Sequence, residues 1–349
     1  MTAAITLARE GYPVTVHEKE DSVGGLGKQH PDIHMTPIDF QKMKDYIGID
    51  VEPCFSELKR FKAYIYSTKI VHFHPQHLYV TERGSHKSSL DHFLYQTAVD
   101  EGVNFEFSHP LTPEMIPTIP ENSIIATGSY STLFQPLKLR YTPFIHFDGF
   151  MKTQETDAFC LAYFDTNLAG YGYGYIAAKE GIASVELDFH SSQPYQTYLE
   201  EFKQLLKKTE NLEVNSWSLI KDNIPEQIHL IKRIQKKTFI FAGAIGGFHD
   251  PFFGFGVNSA LISGKIAATT IISKRKGMQE FNRFTPTLQR MFLLSKIYNL
   301  IPLKNIIIPR VFAGSKNSIP IIRGNLQSIP GFTHKDCFKI DHIEQEIKK

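Results

Sequence analysis

The run from Phe241 to Ala268, FAGAIGGFHDPFFGFGVNSALISGKIAA, decides the fold. Thr238 to Phe241 is an apolar strand that Gly243 breaks. A glycine-rich loop containing Pro251 follows, and the sequence enters a long helix at Gly254-Phe255-Gly256. That helix carries small residues, Ser259, Ala260, Ser263, Gly264, Ala267 and Ala268, which allow close approach to another backbone. Strand, glycine loop and helix start in this order leave backbone amides free to face an anionic or carbonyl oxygen of a ligand.

The N-terminal end carries the complementary half of such a site. Met1 to Glu10 has helical spacing and Gly11 stops it. Tyr12 to Glu18 reads as a short buried strand ending on an acid, and the loop after it holds the doublet Gly24-Gly25. Helix, strand and terminal acid are the later parts of a Rossmann dinucleotide unit, where the acid takes ribose hydroxyls. The strand and Gly-x-Gly-x-x-Gly turn that open such a unit are not in the sequence before this helix. Weak retention of a dinucleotide is therefore expected.

Between these ends the pattern changes twice. Ala63 to Arg83 is rich in strand formers, Ser89 to Glu101 is a helix, and Val103 to Phe107 and Ser123 to Gly128 return as strands. From Leu139 to Phe189 the runs Phe159–Phe164, Tyr171–Ile176 and Ala183–Phe189 predict an antiparallel sheet, followed by an amphipathic helix from Tyr195 to Lys208. The expected fold class is α/β, a Rossmann-like nucleotide domain with an inserted antiparallel β-sheet substrate domain. Its expected boundaries are 1–60, 85–135 and 236–277 for the nucleotide domain, and 61–84 and 136–235 for the insertion. The remainder, 278–349, reads as helical and then irregular.

Residues 1–268 resemble the FAD-dependent oxidoreductases of the geranylgeranyl-reductase-like type. Gly243, Pro251, Gly254, Gly256, Ser263, Gly264, Ala267 and Ala268 match the C-terminal flavin motif of that family, and Glu18, Gly24 and Gly25 match the start of its members. Ile124-Ile125-Ala126-Thr127-Gly128 resembles the strand that returns to the cofactor domain. The resemblance implies FAD as cofactor, with NAD(P)H or ferredoxin as candidate electron donor. It implies cofactor contacts at Glu18, Gly24, Gly25, Thr127, Gly128, Gly243, Ala244, Pro251, Gly254, Gly256, Val257 and Asn258. Gly256 would lie where the backbone passes the pyrimidine edge of the flavin, with the amides of Val257 and Asn258 facing N1 and O2. Gly254 would need only loop flexibility. Ala244 departs from the pattern, since the family has there an aspartate that holds the ribityl chain. Tyr171, Tyr173 and Tyr175, in an alternating Gly-Tyr run, match a strand that faces substrate. The implied activity is reduction of double bonds in an isoprenoid or other apolar lipid. The alternatives are a hydroxylase-type FAD monooxygenase, which shares the late motif, and a truncated or degenerate flavoprotein without activity. No catalytic acid or base stands out.

Bulk properties narrow the remaining classes. A net charge of +2 over 349 residues, without a basic stripe, gives no reason to expect nucleic acid. Three separated cysteines, Cys54, Cys160 and Cys337, make neither a disulfide framework nor a zinc ribbon. A reducing, cytoplasmic setting fits, and a lipid substrate would add peripheral contact with a membrane. No metal site is expected. His72, His74 and His77 have H-x-H spacing, but no carboxylate stands near them in sequence, and a solvated strand face accounts for them.

Overall fold

The computed structural model describes residues 1–25, 31–65, 69–129, 131–164, 173–189, 195–251, 254–300 and 339–345. Along the chain, α1 (Thr2–Arg9) leads to β1 (Thr15–His17), β2 (Asp32–Pro37), α2 (Phe40–Ile47) and β3 (Phe55–Glu57). Then come β4 (Arg60–Ile65), β5 (Lys69–His74), β6 (Leu78–Arg83), α3 (Leu90–Asp100), β7 (Asn104–Glu106) and β8 (Ile124–Ile125). The middle supplies β9 (Tyr141–Lys152), β10 (Phe159–Phe164), β11 (Gly174–Lys179), β12 (Ile182–Phe189) and α4 (Tyr195–Glu210). The last part holds β13 (Ser216–Pro225), β14 (Ile231–Ile234), β15 (Lys237–Phe241), α5 (Val257–Ile272), α6 (Lys274–Leu300) and β16 (Lys339–Gln345).

The nucleotide-type half is made of two short parallel pairs and the helices against them. β1 pairs with β7, and β8 pairs with β15, which also takes β14 antiparallel. Ile5, Leu94, Ala98, Ile240, Leu261 and Ile266 share one core here. Gly264 explains how α5 sits so near α1. A Cβ at that position would stand 3.0 Å from Thr2 Cβ and 3.2 Å from Ala3 N. Only hydrogen fits comfortably, so the small-residue face of α5 is a helix-packing face. Ser89 caps α3, its hydroxyl accepting the amide of His92 at 3.0 Å.

The larger sheet runs in the order β13-β9-β12-β11-β10-β4-β5-β16, and a three-stranded sheet β2-β6-β3 faces it. One face of the large sheet is apolar. Val185 and Leu187 of β12, Ile176 of β11 and Leu161 of β10 are fully buried with Phe202 and Leu206 of α4. On the other face the amide of Met35 donates to the Tyr175 hydroxyl oxygen at 2.6 Å, and the amide of Ile33 donates to Ser184 Oγ at 2.9 Å. Those two bonds fasten β2 across the sheet.

Several details differ from the sequence reading. β1 spans only three residues and is not buried, because β7 is its one strand partner among the described residues. Ala63 to Arg83 divides between two sheets, with β4 and β5 in the large one and β6 in the small one. The large sheet is not wholly antiparallel, since β10 and β4 run parallel. The tail is not irregular throughout either. Residues 339–345 form β16, which adds antiparallel to β5.

Candidate functional site: an acid and imidazole wall beside the late glycine loop

Alternation along three strands creates the site. In β2, β9 and β12 the triplets Asp32-Ile33-His34, His146-Phe147-Asp148 and Glu186-Leu187-Asp188 place polar side chains on one face and apolar ones on the other. Register then gathers them, for Glu186 lies opposite Asp148 and Asp188 opposite His146. From β2, His34 Nε2 reaches Asp32 Oδ2 at 2.6 Å. Ligand atoms of Asp32, His34 and Glu186 all lie within 4.8 Å of one another. His146 Nε2 stands 3.2 Å from Asp148 Oδ1.

Titration in this wall is strongly perturbed. Burial, followed by the charges of Asp32, Asp148 and Asp188, pushes the Glu186 carboxyl up to about 8. Burial likewise raises Asp188 to about 7, against the opposing pull of His146. Burial disfavours charge on His34 and His146, but carboxylates override it. Asp32 raises His34 to about 9, and Asp148 with Glu186 and Asp188 raises His146 to about 10. Near neutral pH the wall therefore pairs the charged His34 imidazole with the Asp32 carboxylate, while burial and neighbouring charge favour the protonated form of Glu186 and, less strongly, of Asp188.

The late glycine loop and the Ala-Thr-Gly turn reach the same place. Asn258 Nδ2 donates to the carbonyl of Pro37, at the end of β2, at 2.6 Å. Tyr173 feels the charges of Asp188, Glu186 and Asp250 together. Ser129 Oγ donates to Asp222 Oδ2 at 2.7 Å, and Asp222 in turn feels His146 and Asp148. Half-buried Phe164, Tyr173 and Phe255 give the wall an aromatic neighbour.

The residues matched by resemblance fall into distinct groups. Gly25, Gly128, Gly243 and Gly254 all have positive φ, and a Cβ on any of them would meet nothing within 4 Å. They turn the chain beside open space. Gly24 also has positive φ, but a Cβ there would overlap the backbone of Gly84, so its role is a chain crossing. Glu18 directly follows β1, and its Oε1 accepts the amide of Glu20 at 3.0 Å. Ala244 starts a single 3-10 turn after Gly243, whose amide donates to Ser263 Oγ at 2.9 Å. Pro251 follows Asp250 in the loop turn, and Val257 opens α5. Gly256 precedes that helix at φ −118°, an ordinary backbone angle. Tyr175 is committed to Met35, Tyr173 is half-buried beside the wall, and Tyr171 lies outside the described residues.

Whether these residues fit a flavin nucleotide can be judged from unsatisfied polar atoms. Thr127 Oγ1, both ring nitrogens of His249, Asn258 Oδ1 and Ser259 Oγ are buried with no hydrogen-bond partner among the described residues. Buried polar atoms are rarely left so. Together with four open glycines and the uncapped start of α5, they fit a polar cofactor lying along the loop. The other end is less complete, because the described residues bring no Gly-x-Gly-x-x-Gly turn to the start of α1. Sequence reading missed the acid and imidazole wall. Its signal was there in the three charged-apolar-charged triplets within otherwise apolar strands.

No family model matches the chain, and no curated protein matches it by sequence. Among solved structures it is similar to a geranylgeranyl bacteriochlorophyll reductase-like protein from Thermoplasma acidophilum, at 14% identity and a TM-score of 0.68. That match covers 95% of this chain and 92% of the other. It is also similar to p-nitrophenol 4-monooxygenase from Pseudomonas putida, at 11% identity and a TM-score of 0.58, covering 94% and 89% of the two chains. A flavin-dependent brominase matches at 14% identity and a TM-score of 0.55, covering 97% and 91%. The chain thus has the fold of FAD-binding flavoproteins with a Rossmann-type domain. Among them it is similar to the geranylgeranyl-reductase-like type.

Proposed function

We propose that this protein is an FAD-dependent oxidoreductase that reduces a carbon–carbon double bond in a substrate with an apolar body, an isoprenoid or another lipid. The observation that carries the reading is the pair of carboxyls, Glu186 and Asp188, that β12 sets on the wall beside the flavin-type loop, where burial favours their protonated forms. Bound FAD supplies the hydride in such a reaction. Reduction also needs a proton at the second carbon, and a carboxyl pushed up to about 8, as Glu186 is, can provide it. Phe164, Tyr173 and Phe255 would hold the apolar part of the substrate and exclude water. Glu18, Gly25, Thr127, Gly128, Gly243, Ala244, Pro251, Gly254, Gly256 and the amides of Val257 and Asn258 would line the cofactor. Gly24 would support that loop from behind. NAD(P)H or ferredoxin is the proposed source of electrons. The protein would work in the cytoplasm, meeting lipid substrate at a membrane surface. No described helix is long and apolar enough to cross a membrane.

The test is an FAD titration followed by anaerobic reduction and addition of a polyprenyl substrate. Saturable FAD binding and substrate-dependent reoxidation without oxygen are expected. In the double variant Glu186→Gln/Asp188→Asn, reoxidation should slow by about 10²–10⁴-fold while FAD binding holds, the range for loss of a positioned proton donor. Reoxidation only by dioxygen, with an oxygen atom in the product, would instead establish the hydroxylase reading. Absence of any FAD binding would establish the degenerate one.

A further inference from the structure

A second cluster lies away from the proposed flavin site, at the edge of the large sheet where β16 joins β5. Antiparallel register sets His342 directly opposite His72. Their rings stack with centroids 4.1 Å apart and planes 9° from parallel. Glu344, two residues along β16, bridges them. Its Oε2 stands 3.4 Å from His72 Nε2 and its Oε1 stands 3.3 Å from His342 Nε2. On the other side of the same ring, His342 Nδ1 lies 2.9 Å from Asp341 Oδ2.

This arrangement has an unmet requirement. Asp341 and Glu344 lie against the two ring nitrogens of His342. His72 Nε2 is buried and forms no hydrogen bond among the described residues, although Glu344 is close. Two imidazole nitrogens and one carboxylate oxygen come within 4.8 Å of one another, the spacing of a ligand set around one ion. A divalent cation there gives His72 Nε2 a partner. The carboxylate–histidine link through Asp341 is also the usual outer support of a metal-bound imidazole.

We propose that His72, His342 and Glu344 bind one zinc-class divalent cation, with Asp341 orienting His342, and that the ion fastens β16 to β5. Imidazole nitrogen with one carboxylate oxygen suits zinc, cobalt or nickel, whose ligand distances are about 2.0–2.2 Å. The parallel rings converge on such an ion by rotation about χ2, a broad and soft torsion. Three protein ligands leave a fourth position for water. A rival trio, His17, Glu106 and His109, also has its ligand atoms within 4.8 Å of one another. There Glu106 Oε2 already sits 3.0 Å from His17 Nδ1 and 3.2 Å from His109 Nδ1, with all three side chains at least 42% exposed. It is satisfied as it stands, whereas His72 is not.

The sites separate in a cobalt and zinc titration of the full-length protein, freed of any histidine tag. One equivalent of cobalt should give a visible tetrahedral-type absorption, which zinc then removes. His342→Ala and Glu344→Gln, both at exposed positions, should abolish it. Asp341→Asn should weaken binding roughly 10–100-fold. His17→Ala with His109→Ala should leave it intact. Amide exchange in β16 should slow when zinc is added to the wild type and not to His342→Ala. Binding that survives His342→Ala, or that disappears with His17 and His109, overturns the proposal. Failure to bind any of these ions overturns it as well.

Discussion

The two faces of β12 solve opposite problems with neighbouring residues. Val185 and Leu187 point into a core where Leu161, Ile176, Phe202 and Leu206 are, like them, fully buried. Glu186 and Asp188, one residue away each, point into a wall of carboxyls and imidazoles. The first face is stabilised by close packing and loses free energy with any atom removed. The second carries desolvated polar groups that oppose folding, and such arrangements concentrate at functional sites. Stability and chemistry are thus divided across the thickness of one sheet.

The sharpest way to test that division is to damage each face in turn. Phe202→Ala should cost about 3–5 kcal/mol, the usual range for a fully buried aromatic, with an obvious fall in Tm. Phe202 also packs so near β11 that a Cβ on Gly174 would overlap its ring. Glu186→Gln, on the opposite face, should change Tm little near neutral pH or raise it, since burial already favours the uncharged form and the amide is nearly isosteric with it. A large loss of Tm in Glu186→Gln would mean that the wall is structural.

pH distinguishes the faces next. Glu186 and Asp188 have folded-state pKa values of about 8 and 7, well above their unfolded values, so folding binds protons there. Their contribution is complete below their unfolded values, near 4, and is lost progressively as pH rises from there through the folded values of about 7 and 8. His34 and His146, raised to about 9 and 10, add in the same sense at still higher pH. Tm should therefore fall as pH goes from 6 to 9, measured by thermal melts. The Glu186→Gln/Asp188→Asn variant should flatten that fall between pH 6 and 8. The Phe202→Ala curve should run parallel to wild type but lower. An unchanged slope in the double variant would remove these two groups as its source.

How much of this could be read in the sequence depends on the range of the interaction. Local signals were sufficient for α1, for the span of α3, and for the small-residue packing face of α5. Each is set by residues a turn or two apart. The wall depends on β2, β9 and β12, which are brought together from positions 32 to 188, so no short motif announces it. The carboxylates beside His72 were invisible for the same reason. They come from β16, more than 260 residues later. At Gly24 the structure adds a requirement that resemblance did not supply, since a Cβ there would overlap the backbone of Gly84.

The finest test concerns the loop that borders the polar face, where Gly254 and Gly256 trade the importance that resemblance gave them. Gly254 has φ +70°, and its amide donates to the carbonyl of Asp250 at 3.0 Å. Any side chain there strains the backbone by about 1–2 kcal/mol even though the space around a Cβ is open. Gly256 has φ −118°, and a Cβ would rest 3.6 Å from the Gly254 carbonyl oxygen and 4.0 Å from His249 Cβ, in ordinary contact. Gly254→Ala should thus lower Tm and weaken FAD binding by roughly tenfold, the equivalent of that strain. Gly256→Ala should be neutral or slightly stabilising through the unfolded chain. The measurement is Tm and FAD affinity for both variants. If Gly256→Ala weakens FAD while Gly254→Ala does not, the open side of Gly256 is occupied by the cofactor itself. The polar face would then extend to the start of α5.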